Sequence, residues 1–546
     1  MSVPLQAGQA VAAGQDGRSG TAGAPAARAD AERPTSLVGH RWTAPLAHPP
    51  AQRRPPAEEP PRPTAVPLPD AAADVPVPPM PAGLDVLTTR LAAARHAGGP
   101  LPLGVVRSVT GLAVEVVGLT AGVGEVLDIG PEGATPVRAE VVGVRAGVLA
   151  CMPLGTADGL AAGVPVRRAA PRLTVRVGDA LLGRVLDGLG QPLDGAPLPA
   201  GLTEVPLEAP PPPALARQRV CEPLPLGVRV LDTLVPAGRG QRFGLFAGSG
   251  VGKSSLMSMV ARGARADVVV LALVGERGRE VREFLEDDLG PEGLARSVVV
   301  VATSDEPPLV RLKAAATATA IAEHFRDQGL DVLLMMDSLT RVATAQREIG
   351  LSVGEPPATR GFPPSVFALL PRLLERAGPG VTGSITGIYT VLVDGDDHDE
   401  PVADAARSIL DGHVVLDRKL ATAGHFPAVD VLGSVSRVAS RVTTAEQRAD
   451  ATAVRRALAA RRDAQDLVDV GAYVPGADPF VDAALAAAPS TRAFLTQPVD
   501  ALADPDTSWA ALSGLARLLD PDAPPLQHAA AQHAVSQHAV SPGAAA

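Results

Sequence analysis

The spacing of hydrophobic positions divides the chain into regions of different type. Residues 101–171 contain short β-branched runs, such as "GVVRSVTG" and "GEVLDIG", that glycines interrupt at close intervals. Short strands separated by turn residues at this spacing are typical of a small β-barrel or sandwich. We therefore predict a β-barrel domain over residues 99–172.

The next region, residues 173–437, alternates apolar runs with helical stretches. The runs lack the period-2 alternation of a half-exposed strand, which indicates parallel strands buried on both faces. They read "RFGLFA", "DVVVLALVG", "SVVVVAT", "DVLLMMD" and "SITGIYTVLV". A helical pattern such as "LVRLKAAATATAIAEHFRDQ" separates two of them. This order predicts an α/β domain.

Beyond this domain the pattern becomes helical and rich in alanine and arginine, and we predict a helical C-terminal domain over residues 438–516. The final segment, 517–546, is of low complexity, and we predict that it is disordered. Three histidines recur in it at regular spacing, and a weak metal-binding tail is the alternative. They are His528, His533 and His538.

The N-terminal region has two predicted parts. Residues 1–80 are rich in proline and alanine and are predicted to be disordered, because they cannot bury enough apolar surface to offset their ordering entropy. Residues 81–98 carry apolar side chains at helical spacing and predict a short amphipathic helix. These side chains are Leu84, Leu87, Leu91 and Ala94.

The amino-acid composition limits the kinds of partner that the protein is expected to bind. The net charge is −10 and aromatic residues make up 2% of the chain. Both values oppose a protein that binds nucleic acid through a basic face or a stacking platform. The two cysteines, Cys151 and Cys221, form no disulfide framework or zinc pattern, which suits a reducing cytoplasm. This cysteine usage leads us to expect a cytoplasmic location. No apolar run reaches the roughly 18 residues needed to span a membrane.

The stretch "FAGSGVGKSS" has the context of a phosphate-binding loop, because a predicted strand enters it and a predicted helix leaves it. Its glycines allow backbone N–H groups to converge on phosphate oxygens, and the helix N-terminus adds a favourable dipole. Lys253 is expected to reach the β- and γ-phosphates of a nucleotide, and Ser254 to bind Mg²⁺. The nucleotide-binding residues predicted here are Gly248, Ser249, Gly250, Val251, Gly252, Lys253, Ser254 and Ser255. Ala247 stands where the strict motif has its first glycine, and the alternative is an ordinary glycine turn before a helix.

Two acidic residues end other predicted buried strands. Asp337 ends "DVLLMMD" and is a candidate for the magnesium shell, with a helix N-cap as the alternative. Glu276 follows "VVVLALVG" and is a candidate for orienting the attacking water, with a solvated loop charge as the alternative. The carboxyl ends of parallel strands meet at one edge of a sheet, where such folds bind ligands. The sequence therefore predicts that both carboxylates and the loop converge.

Several longer stretches resemble one known family. They include "GLFAGSGVGKSS", "GERGREVREFLEDDLG", "MDSLTRVATAQREIGLSVGEPPATRGFPPSVFALLPRLLERAG" and "EPVADAARSILDGHVVL". They closely resemble the ATPases of type III protein export, above all the flagellar export ATPases, which are relatives of the catalytic subunit of rotary F-type ATP synthases. The resemblance runs from about Leu101 to about Gln497. It implies a RecA-like P-loop ATPase core between an N-terminal β-barrel and a C-terminal helical domain.

The resemblance also implies roles for individual residues. ATP is the expected substrate and Mg²⁺ the expected metal, held by Ser254, Asp337 and Glu280. Lys253 and Glu276 match catalytic positions, and Arg277 matches a position that helps to bind phosphate. Arg407 matches an arginine finger that reaches into the neighbouring subunit's site. Phe426 matches an aromatic residue that packs on adenine, with a core phenylalanine as the alternative.

The family further implies partners and a setting. We expect a homo-oligomer, a hexameric ring, bound to a stator-like export regulator, to export chaperones and substrates, and to an export gate at the inner membrane face. No nucleic acid is expected. The function implied is ATP hydrolysis coupled to export of flagellar proteins. An ATPase of a virulence-type secretion system and a non-catalytic nucleotide-binding ring subunit are the alternatives.

Overall fold

The computed structural model describes residues 103–393 and 400–519. The predicted disordered segment 1–80 and the predicted helix 81–98 lie outside the described residues. So does the predicted tail 517–546, apart from its first three residues.

The first described domain is a closed antiparallel barrel of six strands in the order β1-β2-β5-β4-β3-β6. Alternation on its strands puts side chains such as Val114 and Val116 into the barrel interior, where both are fully buried. Ala146 and Gly147 both adopt positive φ values in the tight turn between β4 and β5. The strands are β1 Gly104–Thr110, β2 Ala113–Val117, β3 Val126–Ile129, β4 Val137–Arg145, β5 Val148–Pro153 and β6 Pro165–Ala170.

The second domain is built on a nine-stranded sheet in the order β17-β16-β10-β15-β13-β11-β12-β8, with β14 paired to β15. All its pairs are parallel except β14 with β15 and β17 with β16. The strands are β8 Val185–Asp187, β10 Arg242–Ala247, β11 Val268–Glu276, β12 Ser297–Thr303, β13 Asp331–Asp337, β14 Gly378–Pro379, β15 Ser384–Leu392, β16 Gly412–Leu416 and β17 Val429–Ser436. A separate two-stranded sheet joins β7 Thr174–Val177 to β9 Thr203–Pro206.

Helices cover both faces of the large sheet, which explains why its strands are apolar throughout. One face packs on α1 and α2, and the other on α5, α6, α7 and α8. The helices up to this point are α1 Arg229–Leu234, α2 Lys253–Gly263, α3 Gly278–Glu283, α4 Gly290–Ala295, α5 Pro308–Asp327, α6 Leu339–Ser352, α7 Pro364–Leu374 and α8 Pro401–Ile409. A π-helical segment, Phe284–Leu289, joins α3 to α4.

The C-terminal domain is helical, as predicted. A capping box of Thr444 and Gln447 begins α11, and its buried Val454 and Ala457 extend the core on the α1 and α2 face of the sheet. Its helices are α10 Ala439–Val442, α11 Ala445–Asp469, α12 Pro479–Ala486, α13 Ala488–Leu495 and α14 Pro505–Leu518, and the short helix α9 Arg418–Thr422 precedes them between β16 and β17 of the large sheet. The predicted fold class, an α/β core with an N-terminal barrel and C-terminal helices, is confirmed.

None of the helices in the described parts of the chain is long and apolar enough to cross a membrane.

Candidate nucleotide-binding site

The loop of residues 248–252 leaves the buried end of β10 and enters α2 at Lys253. Gly250 and Gly252 have φ values of +75° and +91°, a region in which side chains other than glycine are strained. The first turn of α2 carries no acidic residue, so no neighbouring carboxylate on that turn offsets the positive end of the helix dipole. Val251 is buried, whereas Ser249, Gly250 and Ser254 are exposed. The geometry is that of an anion-binding loop.

Lys253 lies between two carboxylates that come from two other strands. Its Nζ is 2.5 Å from Asp337 Oδ1, at the end of β13, and 3.5 Å from Glu276 Oε1, at the end of β11. Asp337 also accepts a hydrogen bond of 2.6 Å from Thr390 Oγ1 on β15. The predicted convergence of the loop with both carboxylates is therefore present in the structure.

Burial and the capping of α6 exclude the structural alternatives for these two carboxylates. The side chain of Asp337 is 7% exposed and that of Glu276 is 16% exposed. The N-cap of α6 is Ser338, whose hydroxyl accepts the backbone N–H of Arg341, so Asp337 is not the N-cap. Glu276 is not a solvated loop charge.

The surroundings of Glu276 raise the pKa of its carboxyl group above the usual value. Burial is the main cause that raises the pKa of Glu276, and the charge of Asp337 and a hydrogen bond with Glu280 raise it further. The charge of Lys253 lowers that pKa but does not cancel the effect of burial. Glu276 therefore needs a higher pH than an exposed glutamate to become an acceptor for a water proton.

The candidate magnesium ligands suit an ion that a nucleotide helps to hold. In the described ranges no group of three or more His, Cys, Asp and Glu residues could hold a metal ion without help. Mg²⁺ is commonly bound through one or two protein oxygens together with substrate phosphates and waters. Ser254, on the first turn of α2, and Asp337 supply such oxygens. Glu280 pairs instead with Arg277, at 3.3 Å, and with Glu276.

Arg277 and Phe426 lie at the rim of this site. Arg277 is the exposed residue at the start of α3. Phe426 is 42% exposed, and a Cβ atom added at Gly252 would lie 3.4 Å from its ring. The alternative of a core phenylalanine at position 426 is therefore wrong, and an exposed aromatic face stands beside the loop.

Arg407 is not brought to this cluster within the chain. Its guanidinium lies over the ring of Phe246, 5.1 Å from the centroid. Phe246 belongs to the core on the face opposite α2. The backbone carbonyl of Arg407 accepts a hydrogen bond of 3.1 Å from the exposed Arg437.

Two site residues were not predicted from the sequence. Thr390 is a polar residue near the end of the run "SITGIYTVLV", and its position near the carboxyl end of a predicted strand could have indicated a site residue. Arg418, at the start of α9, donates a hydrogen bond of 3.0 Å to the carbonyl of Ser249 in the loop. It belongs to no motif, and only the fold brings it there.

A mostly parallel sheet with this loop and these carboxylates at its carboxyl edge defines a P-loop ATPase. Residues 227–436 match the model of the ATP synthase alpha/beta family, nucleotide-binding domain. Residues 443–514 match the model of the T3SS EscN ATPase C-terminal domain.

Relatives that align with about three quarters of the chain are identical to it at about half of the aligned positions. The flagellum-specific ATP synthase of Bacillus subtilis is 52% identical over 414 residues, which are 76% of this chain and 94% of the relative. The type 3 secretion system ATPase of Xanthomonas euvesicatoria is 52% identical over 400 residues, 73% of this chain and 90% of the relative. The assembled ATPase EscN of enteropathogenic E. coli superposes with a TM-score of 0.73 at 44% identity and covers 76% of this chain and 100% of EscN. The chain belongs to the ATPase family of type III protein export and is an ATP hydrolase.

Proposed function

We propose that the protein couples ATP hydrolysis to the type III export of flagellar proteins during flagellum assembly. The observation that carries the proposal is the position of Lys253 beside the phosphate loop and between Asp337 and Glu276. One cation between two carboxylates leaves a net negative cluster that a phosphate group can enter only by competing for Lys253. Nucleotide binding therefore depends on the side chains that hold these two carboxylates in place.

Each residue of the site is assigned a role that follows from its position. The loop N–H groups and Lys253 hold the β- and γ-phosphates and stabilise the charge that develops there. Glu276 orients the attacking water, and Arg277 adds a phosphate contact at the rim. Phe426 presents its ring to adenine. Mg²⁺, held by Ser254 and Asp337 with Glu280 nearby, would neutralise phosphate charge when bound.

Assembly into a ring is part of the proposal. EscN is described as an assembled ATPase, and a second structure of it contains the central stalk EscO. We propose a homohexamer in which Arg407 of one subunit acts in the site of the next. Within one subunit its guanidinium lies over the ring of Phe246.

The remaining partners follow from the family. We propose that the ring works at the cytoplasmic face of the inner membrane, with export chaperones, their substrates and the export gate. A stator-like regulator is proposed to bind the predicted helix 81–98. Deleting residues 1–97 and measuring regulator binding by calorimetry tests this, and unchanged binding contradicts it.

The ATPase of a virulence-type secretion system is the second candidate. It is favoured by the identity of 52% to the Xanthomonas secretion ATPase, equal to that of the Bacillus flagellar relative. Expression in a flagellated host that lacks its own export ATPase separates the two. Restored motility supports flagellar export, whereas hydrolysis by the purified protein without any motility favours the second candidate.

The direct test of the enzyme and ring is phosphate release measured against protein concentration. Specific activity is expected to rise as rings form. Mixing Arg407→Ala with Glu276→Gln chains should then restore part of the activity, because some shared sites are complete. Mixed rings that stay as inactive as their components contradict the role of Arg407 in trans.

A further inference from the structure

A basic cleft of about 450 Å³ lies at the amino ends of β10 and β16, away from the phosphate loop. Five arginines and two carboxylates line it. They are Arg217, Arg219, Arg242, Arg437 and Arg441, with Glu375 and Asp411. The cleft therefore carries an excess of three positive charges.

The two carboxylates are used by the inner arginines. Arg242 pairs with Glu375 at 2.6 Å and with Asp411 at 3.0 Å, and Arg217 also lies 3.2 Å from Glu375. The outer arginines are different. Arg219 and Arg441 are exposed, and neither makes an ion pair with any residue in the described ranges. Positive charge thus faces outward from this cleft.

An acidic surface lies over the opposite half of the same sheet, on a helical segment. We define it as residues 283–292, the π-helical segment with the residues before and after it. Its carboxylates are Glu283, Glu286, Asp287, Asp288 and Glu292, and the segment contains no lysine or arginine. Its buried Phe284 and Leu289 fix which face points outward.

Two of these carboxylates have no compensating charge. Glu283 and Glu286 pair with arginines on α3, but Asp287 and Glu292 are exposed and form no ion pair within the described parts of the chain. Asp287 and Glu292 therefore present uncompensated negative charge to the solvent.

The two surfaces lie in opposite halves of the sheet, as a head-to-tail contact between neighbouring subunits requires. The basic cleft belongs to the half of the sheet that ends at β17. The acidic surface lies on the side of β11 and β12, in the half of the sheet that ends at β8. A cyclic ring joins two different patches of the same chain, one on each side of every subunit.

Exposed apolar side chains lie beside the cleft and at the opposite edge of the sheet. Leu215 and Val381 lie beside the cleft, where Gln218 bonds to the carbonyl of Val381, and Leu182 and Leu193 lie next to β8. An interface needs such apolar contact together with its polar contacts. The partner that fits is therefore another copy of this chain.

We propose that the basic cleft of one subunit binds the acidic surface of the next, and that this charge pairing closes the ring. The inference rests on the ring assembly under Proposed function. It assigns Arg219 and Arg441 on one side, and Asp287 and Glu292 on the other, to subunit recognition and not to hydrolysis.

Charge reversal with exchange tests this pairing. Chains with Arg219→Glu and Arg441→Glu, or with Asp287→Lys and Glu292→Lys, should assemble poorly, because like charges then meet at every junction. We expect the protein concentration for half-assembly, measured by mass photometry, to rise about tenfold or more. A chain that carries all four substitutions should recover, since both surfaces are reversed together. A mixture of the two reversed chains should also recover, through alternating rings with an even number of subunits.

Controls separate this inference from the proposed function. Arg462→Glu, an exposed reversal on α11 outside both surfaces, should assemble as the wild type does. Salt should raise the half-assembly concentration of the wild type, because it screens exposed charges. Reversed chains that assemble normally, or a four-fold variant that stays folded by circular dichroism without recovering, overturn the pairing alone. Wild-type protein that hydrolyses ATP but stays monomeric at every concentration overturns the ring and the pairing together.

Discussion

Replacing Glu276 by glutamine isolates the charge that we assign to water orientation. Glutamine keeps the size of the side chain and its hydrogen-bonding capacity but removes the negative charge. Asp337 stays 2.5 Å from Lys253, so the lysine keeps its position beside the loop. Binding of ATP should therefore survive the substitution, while hydrolysis should not.

The size of the effect follows from the burial of the group. A positioned general base contributes about 10²- to 10⁴-fold, or about 3–5 kcal/mol of barrier at about 1.4 kcal/mol for each factor of ten. Glu276 is 16% exposed and is hydrogen-bonded with Glu280, so bulk water does not replace it easily. We expect kcat to fall in the upper half of that range.

The pH profile gives a second, independent readout. Because burial raises the pKa of Glu276, the wild-type rate should rise with pH through a value above the ordinary 4.5 of a glutamate. The glutamine variant has no such group and should lose this acidic limb. A structural role for Glu276 would lower the rate without removing the limb.

Single-turnover hydrolysis and fluorescent-nucleotide binding are the assays, both at protein concentrations above that of assembly. Glu348→Gln is the matched control, since it removes a carboxylate that pairs with Arg311 at 2.6 Å and has no part in the cluster. The control should hydrolyse ATP at close to the wild-type rate. A Glu276→Gln chain within tenfold of the wild-type kcat, or one that loses binding and hydrolysis together, would refute the assignment.

Four further substitutions probe other parts of the chain. Lys253→Ala should lower kcat by at least about a hundredfold in phosphate-release assays, because one preorganised charge is lost; near-normal turnover in a folded variant contradicts the site. Arg407→Ala should keep nucleotide binding and assembly but lose about a thousandfold in ring activity, and if only Arg437→Ala does so, the exposed neighbour holds that role instead. Phe426→Ala should weaken ATP binding by about tenfold in fluorescence titrations while Phe426→Trp retains it, since stacking on a base is worth about 1–3 kcal/mol; equal affinities contradict an adenine contact. Burial raises the pKa of Asp232 from 3.8 to about 7, so its contribution to stability is present at low pH and is lost as pH rises through 7. The full shift corresponds to about 4 kcal/mol, of which about 3 kcal/mol falls between pH 5 and pH 8. Urea unfolding at these two pH values should show that the stability of Asp232→Asn increases relative to that of the wild type at the higher pH; a difference independent of pH contradicts this.

The local pattern of apolar residues and glycines was sufficient to predict the strands and the loop that carry the site. The unalternating run "SVVVVAT" coincides with β12, and "DVLLMMD" with β13, because a strand covered by helices on both faces has no polar side. The glycine loop was recognisable because positive φ values and close backbone approach restrict which residues a phosphate loop can use. These are constraints that act within a few residues of each other, so they are visible in the sequence.

The tertiary structure decided everything that depends on which strands are neighbours. Thr390 reaches Asp337 because β15 lies beside β13, although the two residues are 53 positions apart. The antiparallel return of β17 and the placement of Arg407 over Phe246 likewise depend on contacts between distant segments. The charge of a side chain is a property of the sequence, but its burial and its partners belong to the fold. The sequence alone therefore determined the type of site. Only the packed sheet determined the direction of the pKa shift of Glu276, the setting of Lys253 and the placement of the two charged surfaces in opposite halves of the sheet.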